Sequence, residues 1–229
     1  TGFKTQNIHT GTQNMATKDK APKRDYPDLH DHLEELDRRG LLVRVNREIN
    51  KDTELHPLVR WQFRGGLEEK DRKAFLFTNV VDSKGRKFDI PVAVGVLAAS
   101  RDIYRTGIGC ELDEIEETWK RATGNPIDPV EVTEAPCQEI VWQGEDLDIA
   151  GQGLDGVPVP ISTPGWDNAP YTTLSQYITK DPDSGIQNMG NYRGQIKGQK
   201  RMGMNPSLEL RPGIYIHWEK YKKRGEKMP

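Results

Sequence analysis

A cluster of amide and guanidinium side chains follows a turn in the last quarter of the chain. In the turn, Asp181-Pro182-Asp183-Ser184-Gly185, proline fixes φ, the aspartates can cap backbone N–H groups and the glycine permits positive φ. Asn188, Asn191 and Arg193 come just after it. Side chains of these types can hold a metal ion, a phosphate or a carboxylate. The sequence therefore predicts a hairpin, formed by strands over 171–180 and 190–197, that carries a polar site.

Strand alternation leaves the geometry of this cluster open. Asn188 and Arg193 are five positions apart, so a regular strand would place them on opposite faces. They share a site only if Gly190 hosts a bulge or the strand starts later. The alternative is a turn asparagine beside an unrelated arginine on a strand face.

His217 is the histidine with the strongest case for chemistry. It lies in Ile214-Tyr215-Ile216-His217-Trp218, and this alternation predicts a strand over 213–218 with Tyr215 and His217 on one face. An imidazole and an amide oxygen could hold a divalent cation, with a phosphate completing its shell. The alternative is a histidine at the surface or at the edge of the core. His30 and His32 are predicted on the solvated side of a helix.

Composition narrows the class of protein. The 229 residues suggest one large or two small domains, and 30% charged residues indicate a wet surface. The net charge of -2 gives no support to nucleic-acid binding, and no apolar run approaches the ~20 residues of a membrane span. Cys110 and Cys137 are too few for a disulfide framework. A cytoplasmic location is the expectation, with a small molecule as the partner.

The chain divides by its periodicity into three parts. Residues 1–25 are predicted to be a disordered tail or a vector-derived one, because they have almost nothing to bury. Residues 26–125 predict a small α/β domain, and residues 126–229, after a proline-marked boundary, an incomplete strand-rich domain. The elements predicted in the α/β part are helices over 28–39, 55–63, 100–104 and 111–122 and strands over 41–49, 74–81 and 90–97. The last of these strands is a continuous apolar run and is predicted to be central. A further short strand is predicted over 137–142.

These motifs together resemble the UbiD family of decarboxylases, which depend on prenylated FMN. The likeness is strongest in Asn188-Met189-Gly190-Asn191-Tyr192-Arg193, close to the Asn-Met-Gly-x-Tyr-Arg of the family. It continues in Gly165-Trp166-Asp167-Asn168-Ala169-Pro170-Tyr171, in His217-Trp218 and in Gly225-Glu226-Lys227-Met228-Pro229. The opening Tyr26-Pro27-Asp28-Leu29 is a weaker match.

The resemblance implies an α+β fold in which a small α/β domain precedes part of a split β-barrel, similar to flavin reductases, that binds the cofactor. It implies that Asn188 and His217 coordinate a divalent cation, manganese or magnesium, which bridges to the cofactor phosphate; potassium is a further candidate. Arg193 would be catalytic and lie over the cofactor near the substrate carboxylate. The cofactor contacts implied are Asn188, Gly190, Asn191, Tyr192, Arg193 and Ile216.

The reaction implied is the reversible, non-oxidative decarboxylation of an aromatic or α,β-unsaturated acid. The metal-binding and proton-donating glutamates of the family would lie further along than residue 229, so we expect the isolated chain to be inactive alone. It would be the front part of a longer oligomeric enzyme, or a subunit that a partner completes. A non-catalytic cofactor-binding or docking subunit of a multi-chain carboxylase is the alternative, and a flavin reductase-like oxidoreductase is a weaker one.

Overall fold

Short helices and strands alternate in the N-terminal half of the computed structural model, which describes residues 28–229. The helices here are α1 (Leu29–Arg38), α2 (Leu55–Arg64), α3 (Arg101–Ile108) and α4 (Ile115–Gly124). The strands are β1 (Leu42–Val45), β2 (Ile49–Asn50), β3 (Ala74–Phe77), β4 (Val80–Val81), β5 (Lys87–Phe88) and β6 (Val92–Val94). The tail predicted over 1–25 lies outside the described residues.

The first helix forms as its sequence predicts. The Asp28 side chain accepts hydrogen bonds from the backbone N–H groups of His30 and Asp31, and the Asp31 carboxylate accepts one from the Asp28 N–H at 2.7 Å. Such a capping box satisfies N–H groups that a helix start leaves without partners. Gly40, with φ of +69°, follows the end of the helix. The ring of His32, predicted to be solvated, instead lies 2.7 Å from the carbonyl oxygen of Val96.

Two three-stranded sheets organise this half. In one, β1 and β3 are parallel and β6 is antiparallel to β3; in the other, β2 and β4 are parallel and β5 is antiparallel to β4. The strand predicted over 41–49 is thus two strands in different sheets. The prediction that 90–97 forms a central strand is wrong, because β6 lies at an edge. Its apolar character is explained by a second contact surface, where it lines a cleft with Phe63, Pro160 and Leu174.

The C-terminal half is built from short strands and one long helix. Its strands are β7 (Tyr171–Thr172), β8 (Gln176–Lys180), β9 (Gln187–Asn191), β10 (Gly194–Gly198) and β11 (Arg201–Met204), and its helix is α5 (Gly213–Arg224). The strands β8 and β9 pair as a hairpin, while β10 lies between β7 and β11 in a separate sheet. The predicted pairing of 171–180 with 190–197 is therefore divided between two sheets.

Two strand predictions in this half are wrong. Residues 137–142 contain the end of a 3₁₀ turn, Pro136–Gln138, because a proline opens that turn. The segment predicted as a strand over 213–218 is the first half of α5, in which Ile214 and His217 are buried on one side. The last turn of the helix is basic, with Lys222, Lys223 and Arg224. Gly225 follows it in the left-handed conformation and ends the helix.

The described residues form a mixed α/β structure of small sheets, and no closed barrel is present within 28–229. No helix in this range is both long enough and apolar enough to cross a membrane. The domain boundary at 125–126 stays a prediction.

Candidate functional site

The β8–β9 hairpin fixes the position of Asn188. Its turn is the predicted one: the Asp181 side chain accepts from the Asp183 N–H at 2.8 Å, and Gly185 has φ of +75°. The register then pairs Asn188 with Thr179. Because directly paired residues project to the same face of a sheet, these two side chains lie side by side.

Helix α5 covers this face of the hairpin. The buried Thr179 hydroxyl lies 2.8 Å from Nδ1 of the buried His217 ring. Asn188 packs against the start of the same helix, so closely that a Cβ on Gly213 would lie 2.5 Å from its Oδ1. Gly213 and His217 are four residues apart and so share one helix face. Asn188 and His217 therefore lie in the same interface, at successive turns of α5.

An ion network closes the other end of this interface. The Asp181 carboxylate accepts from the Lys220 ammonium at 2.6 Å, and the same oxygen lies 3.9 Å from Nε2 of His217. Asp183 lies 3.0 Å from Lys220 and also pairs with Arg224. The hydrogen bond from Lys220, together with those from the turn backbone, lowers the pKa of Asp181 to about 2. Lys220 and Arg224 likewise lower the pKa of Asp183, and both carboxylates raise the pKa of Lys220.

Arg193 faces a different space, a cleft of about 680 Å³. Since β9 ends at Asn191 and β10 begins at Gly194, Arg193 lies in the two-residue link between the sheets. Its guanidinium lies over the Tyr171 ring, with Cζ 5.0 Å from the centroid. The geometry that alternation left open is thereby settled: Arg193 faces the cleft and Asn188 faces α5.

The other predicted cofactor contacts are divided between the cleft and the region of the hairpin and α5. Asn191 and Tyr192 line the cleft with Arg193. Gly190 lies beneath Tyr192, where a Cβ would collide with the ring, and Tyr192 meets Tyr177 edge-on at 5.9 Å. Ile216 is partly exposed on α5 and is not part of the cleft lining.

Lys197 is a second positively charged side chain in the cleft, and the sequence analysis did not predict it. Arg193, Gln195 and Lys197 all line the cleft, and their period of two was the available signal. The stem of Lys197 crosses Gly203, where a Cβ would lie 3.1 Å from Lys197 Cε. The cleft lining includes no carboxylate from residues 28–229. Neither cation is ion-paired within that range, so the cleft suits an anionic ligand.

A divalent cation beside Asn188 would need several oxygen or nitrogen ligands. Nδ2 of Asn188 is buried and has no hydrogen-bond partner among the described residues. The ring of His217, in contrast, contacts Thr179 and faces Asp181. In the described part of the chain, no three His, Cys, Asp or Glu side chains are grouped closely enough to hold a metal ion. Asn188 and His217 both lie in the interface between α5 and the hairpin, and coordination of a metal ion by the two stays a prediction.

Comparisons with known proteins place these features in one family. Residues 33–122 match the model of the 3-octaprenyl-4-hydroxybenzoate carboxy-lyase N-terminal domain, and residues 129–229 match that of the Rift-related domain of the same enzyme. The two models together span most of the chain. The protein belongs to the UbiD family, as its motifs predict.

Solved structures show the same fold. The chain resembles the UbiD-class enzyme HmfF from Pelotomaculum thermopropionicum in complex with prFMN, with 24% identity and a TM-score of 0.72 over 87% of this chain and 42% of that one. A 3,4-dihydroxybenzoic acid decarboxylase from Klebsiella pneumoniae gives 21% identity and a TM-score of 0.73 over 88% and 41%. The vanillic acid decarboxylase of Sedimentibacter hydroxybenzoicus, in its closed form, gives 22% and 0.73 over 90% and 42%. The chain thus spans about two fifths of the length of these relatives.

Proposed function

We propose that this chain forms the cofactor-binding part of a UbiD-type carboxy-lyase, which acts reversibly on an aromatic or α,β-unsaturated acid with prenylated FMN. The observation that supports this most is the cleft that the end of the Asn188–Arg193 hexapeptide forms. It presents a stacked arginine that has no ion-pair partner in residues 28–229. Family membership supports the reaction class.

Arg193 is proposed to orient the carboxylate of the acid. A guanidinium offers two parallel N–H groups in the geometry of a carboxylate, and the contact with the Tyr171 ring would hold it at the wall of the cleft. A fixed carboxylate keeps the bond to the departing CO₂ in one orientation relative to the bound cofactor, which lowers the entropic part of the barrier.

The flavin is proposed to lie along the tyrosine-lined wall of the cleft, near Tyr192. The HmfF structures contain prFMN or FMN. The cleft volume of about 680 Å³ lies within the usual range of roughly 300–1,000 Å³ for small-molecule sites. When bound, prenylated FMN would supply the electron sink that decarboxylation needs. Gly190 and Asn191 are proposed as further contacts, within a split-barrel type of cofactor domain. A contact from Ile216, which lies on α5 outside the cleft lining, stays a prediction.

Asn188 is proposed to hold a divalent cation, manganese or magnesium, through its amide oxygen. Such an ion would neutralise the phosphate of the flavin. Potassium is a second candidate ion. No described carboxylate lines the cleft, so a glutamate that protonates the product is not among these lining side chains.

Binding of FMN and of benzoate to the 229-residue chain tests this proposal. We expect wild-type protein to bind both, and R193M to bind FMN but to lose most of its affinity for benzoate. The control is R201M, because Arg201 is exposed on β11 and is not part of the cleft. Failure of the wild-type chain to bind FMN, or benzoate binding unaffected by R193M, would overturn it.

Release of CO₂ is a separate readout. With prenylated FMN supplied, we expect little turnover from the chain alone, because no carboxylic acid from residues 28–229 lines the cleft. Rapid CO₂ release from the purified chain would contradict that expectation.

A further inference from the structure

Three residues of the cleft lie in one row across the sheet formed by β7, β10 and β11. Gln195, in the central strand, is paired with Tyr171 on one side and with Gly203 on the other. Directly paired residues project to the same face of a sheet, and all three line the cleft. Because neighbouring strands are about 4.8 Å apart, Tyr171 and Gly203 are separated by about 10 Å. The row is therefore wide enough for one aromatic ring.

A positively charged side chain lies at each end of this row. The guanidinium of Arg193 lies over the Tyr171 ring, with Cζ 5.0 Å from the ring centroid. The stem of Lys197 lies over Gly203, where an added Cβ would be 3.1 Å from Lys197 Cε. The two charges thus flank the central strand from opposite sides, although they come from nearby positions in the chain.

A β-bulge accounts for the direction of Lys197. The register of β10 against β11 shifts between Ile196 and Gly198, so Lys197 is the extra residue of the bulge. A bulge re-aims the side chain that it carries. Gly203 leaves room for the stem, so the lysine can lie back across β11 toward the row.

The space between the two charges is neutral. Gln195 lies there, and its amide donates a hydrogen bond to Oδ1 of Asn168 at 2.7 Å. No carboxylate from residues 28–229 lines the cleft, and neither Arg193 nor Lys197 is ion-paired within that range. One carboxylate is too small to reach both charges, since a hydrogen bond covers only about 3 Å at each end. A ring with anionic groups at two opposite positions would reach both.

We propose that Lys197 is a specificity-determining residue, and that the acid substrate carries a second anionic group opposite the carboxylate that Arg193 binds. This inference rests on the proposed function. The substrate class is then an aromatic dicarboxylate or an equivalent dianion, of which terephthalate is the simplest. The phosphate of FMN is the other anion available to Lys197, but the proposed function assigns that group to a cation at Asn188, which faces α5.

The test compares three acids by calorimetric titration of the 229-residue chain in the presence of FMN. Terephthalate has its two carboxylates on opposite sides of the ring, phthalate has them adjacent, and benzoate has one. We expect wild-type protein to bind terephthalate about fivefold more tightly than the other two, as one more exposed ion pair would allow. K197M should lose this preference and K197R should keep it. K200M is the control and should also keep it, because Lys200 pairs with Asp148 outside the cleft.

The ratio of affinities is the readout, because removal of a charge weakens the binding of every anion. An unchanged preference in K197M would overturn the inference, as would a wild-type chain that bound phthalate or benzoate as tightly as terephthalate.

Riboflavin, which lacks the phosphate, tests the other anion. A K197M chain that lost its preference for FMN over riboflavin, but kept that for terephthalate, would assign Lys197 to the phosphate and overturn the inference. A wild-type chain that bound no FMN would refute the proposed function instead. The preference for terephthalate would then be measured without flavin and would decide the role of Lys197 by itself.

Discussion

The guanidinium of Arg193 lies over the ring of Tyr171, with Cζ 5.0 Å from the ring centroid, at the wall of the cleft. The arginine is the last residue of the family hexapeptide, and the tyrosine begins the first strand of the neighbouring sheet. The contact therefore joins the link after β9 to β7 and sets which way the cation faces.

Replacing the stacked ring should weaken binding of acids. We expect Y171L to lower benzoate affinity about two- to fivefold, because an exposed cation–π contact contributes ~0.5–1 kcal/mol. Y171F keeps the ring and should bind as the wild type does. Calorimetric titration distinguishes these outcomes, and equal affinities for Y171L and wild type would show that stacking does not position Arg193.

Adding one carbon at Gly213 should displace Asn188. G213A places a Cβ 2.5 Å from the Asn188 amide oxygen, so FMN and Mn²⁺ retention should fall although alanine is the better helix former. Gly124 in α4 has open space around it, so G124A is the matched control and should stabilise the chain by up to ~1 kcal/mol without changing ligand binding. Unfolding midpoints and flavin fluorescence report the two effects. Unchanged flavin retention in G213A would contradict the close packing.

Acid should release α5 from the hairpin. The pKa of Asp181 is lowered from 3.8 to about 2, so its contribution to stability is complete above pH 3.8 and is lost as the pH falls toward 2. Asp183 contributes with the same sign. We expect the wild type to show a transition in this range by circular dichroism.

The D181N variant should lack most of this acid transition, since its side chain cannot ionise. The control is D128N, because Asp128 is exposed and forms no ion pair in the structure. A D181N curve that overlays the wild type between pH 4 and 2 would show that the Asp181–Lys220 pair does not hold the helix.

Removing the positive charge of Lys197 from the cleft should weaken anion binding. We expect K197M to reduce benzoate or FMN affinity about two- to tenfold and to lessen the dependence of binding on salt. K200M is the control, since Lys200 pairs with Asp148 at 2.5 Å outside the cleft. Titrations at two salt concentrations would measure this. An affinity and salt dependence equal to those of wild type would exclude Lys197 from the ligand site.

Local chemistry made part of this structure predictable from sequence. The Asp28 cap, the turn at 181–185 and the hairpin that places Asn188 all depend on residues within a few positions of one another. The family hexapeptide likewise indicated the right stretch of chain.

The remaining features depend on contacts that sequence spacing does not encode. Ile214 and Ile216 alternate as in a strand. The residues that are buried, however, are Ile214 and His217, and their spacing of three is that of one helix face. The basic last turn and Gly225 were signals of this helix. The partner of His217, Thr179, is 38 positions away, and no short motif announces it.

The pairing of β8 with β9 has a consequence for cooperativity. A two-stranded ribbon is only marginally stable by itself, and the outer face of this one leaves Ile178 and Met189 more than half exposed. The ribbon should therefore open together with α5 as one unit, so that amide protons in β8 and α5 exchange with a common free energy of opening. A ligand that binds at Asn188 would raise that free energy with its concentration, and would slow exchange along a helix that it touches only at the first turn.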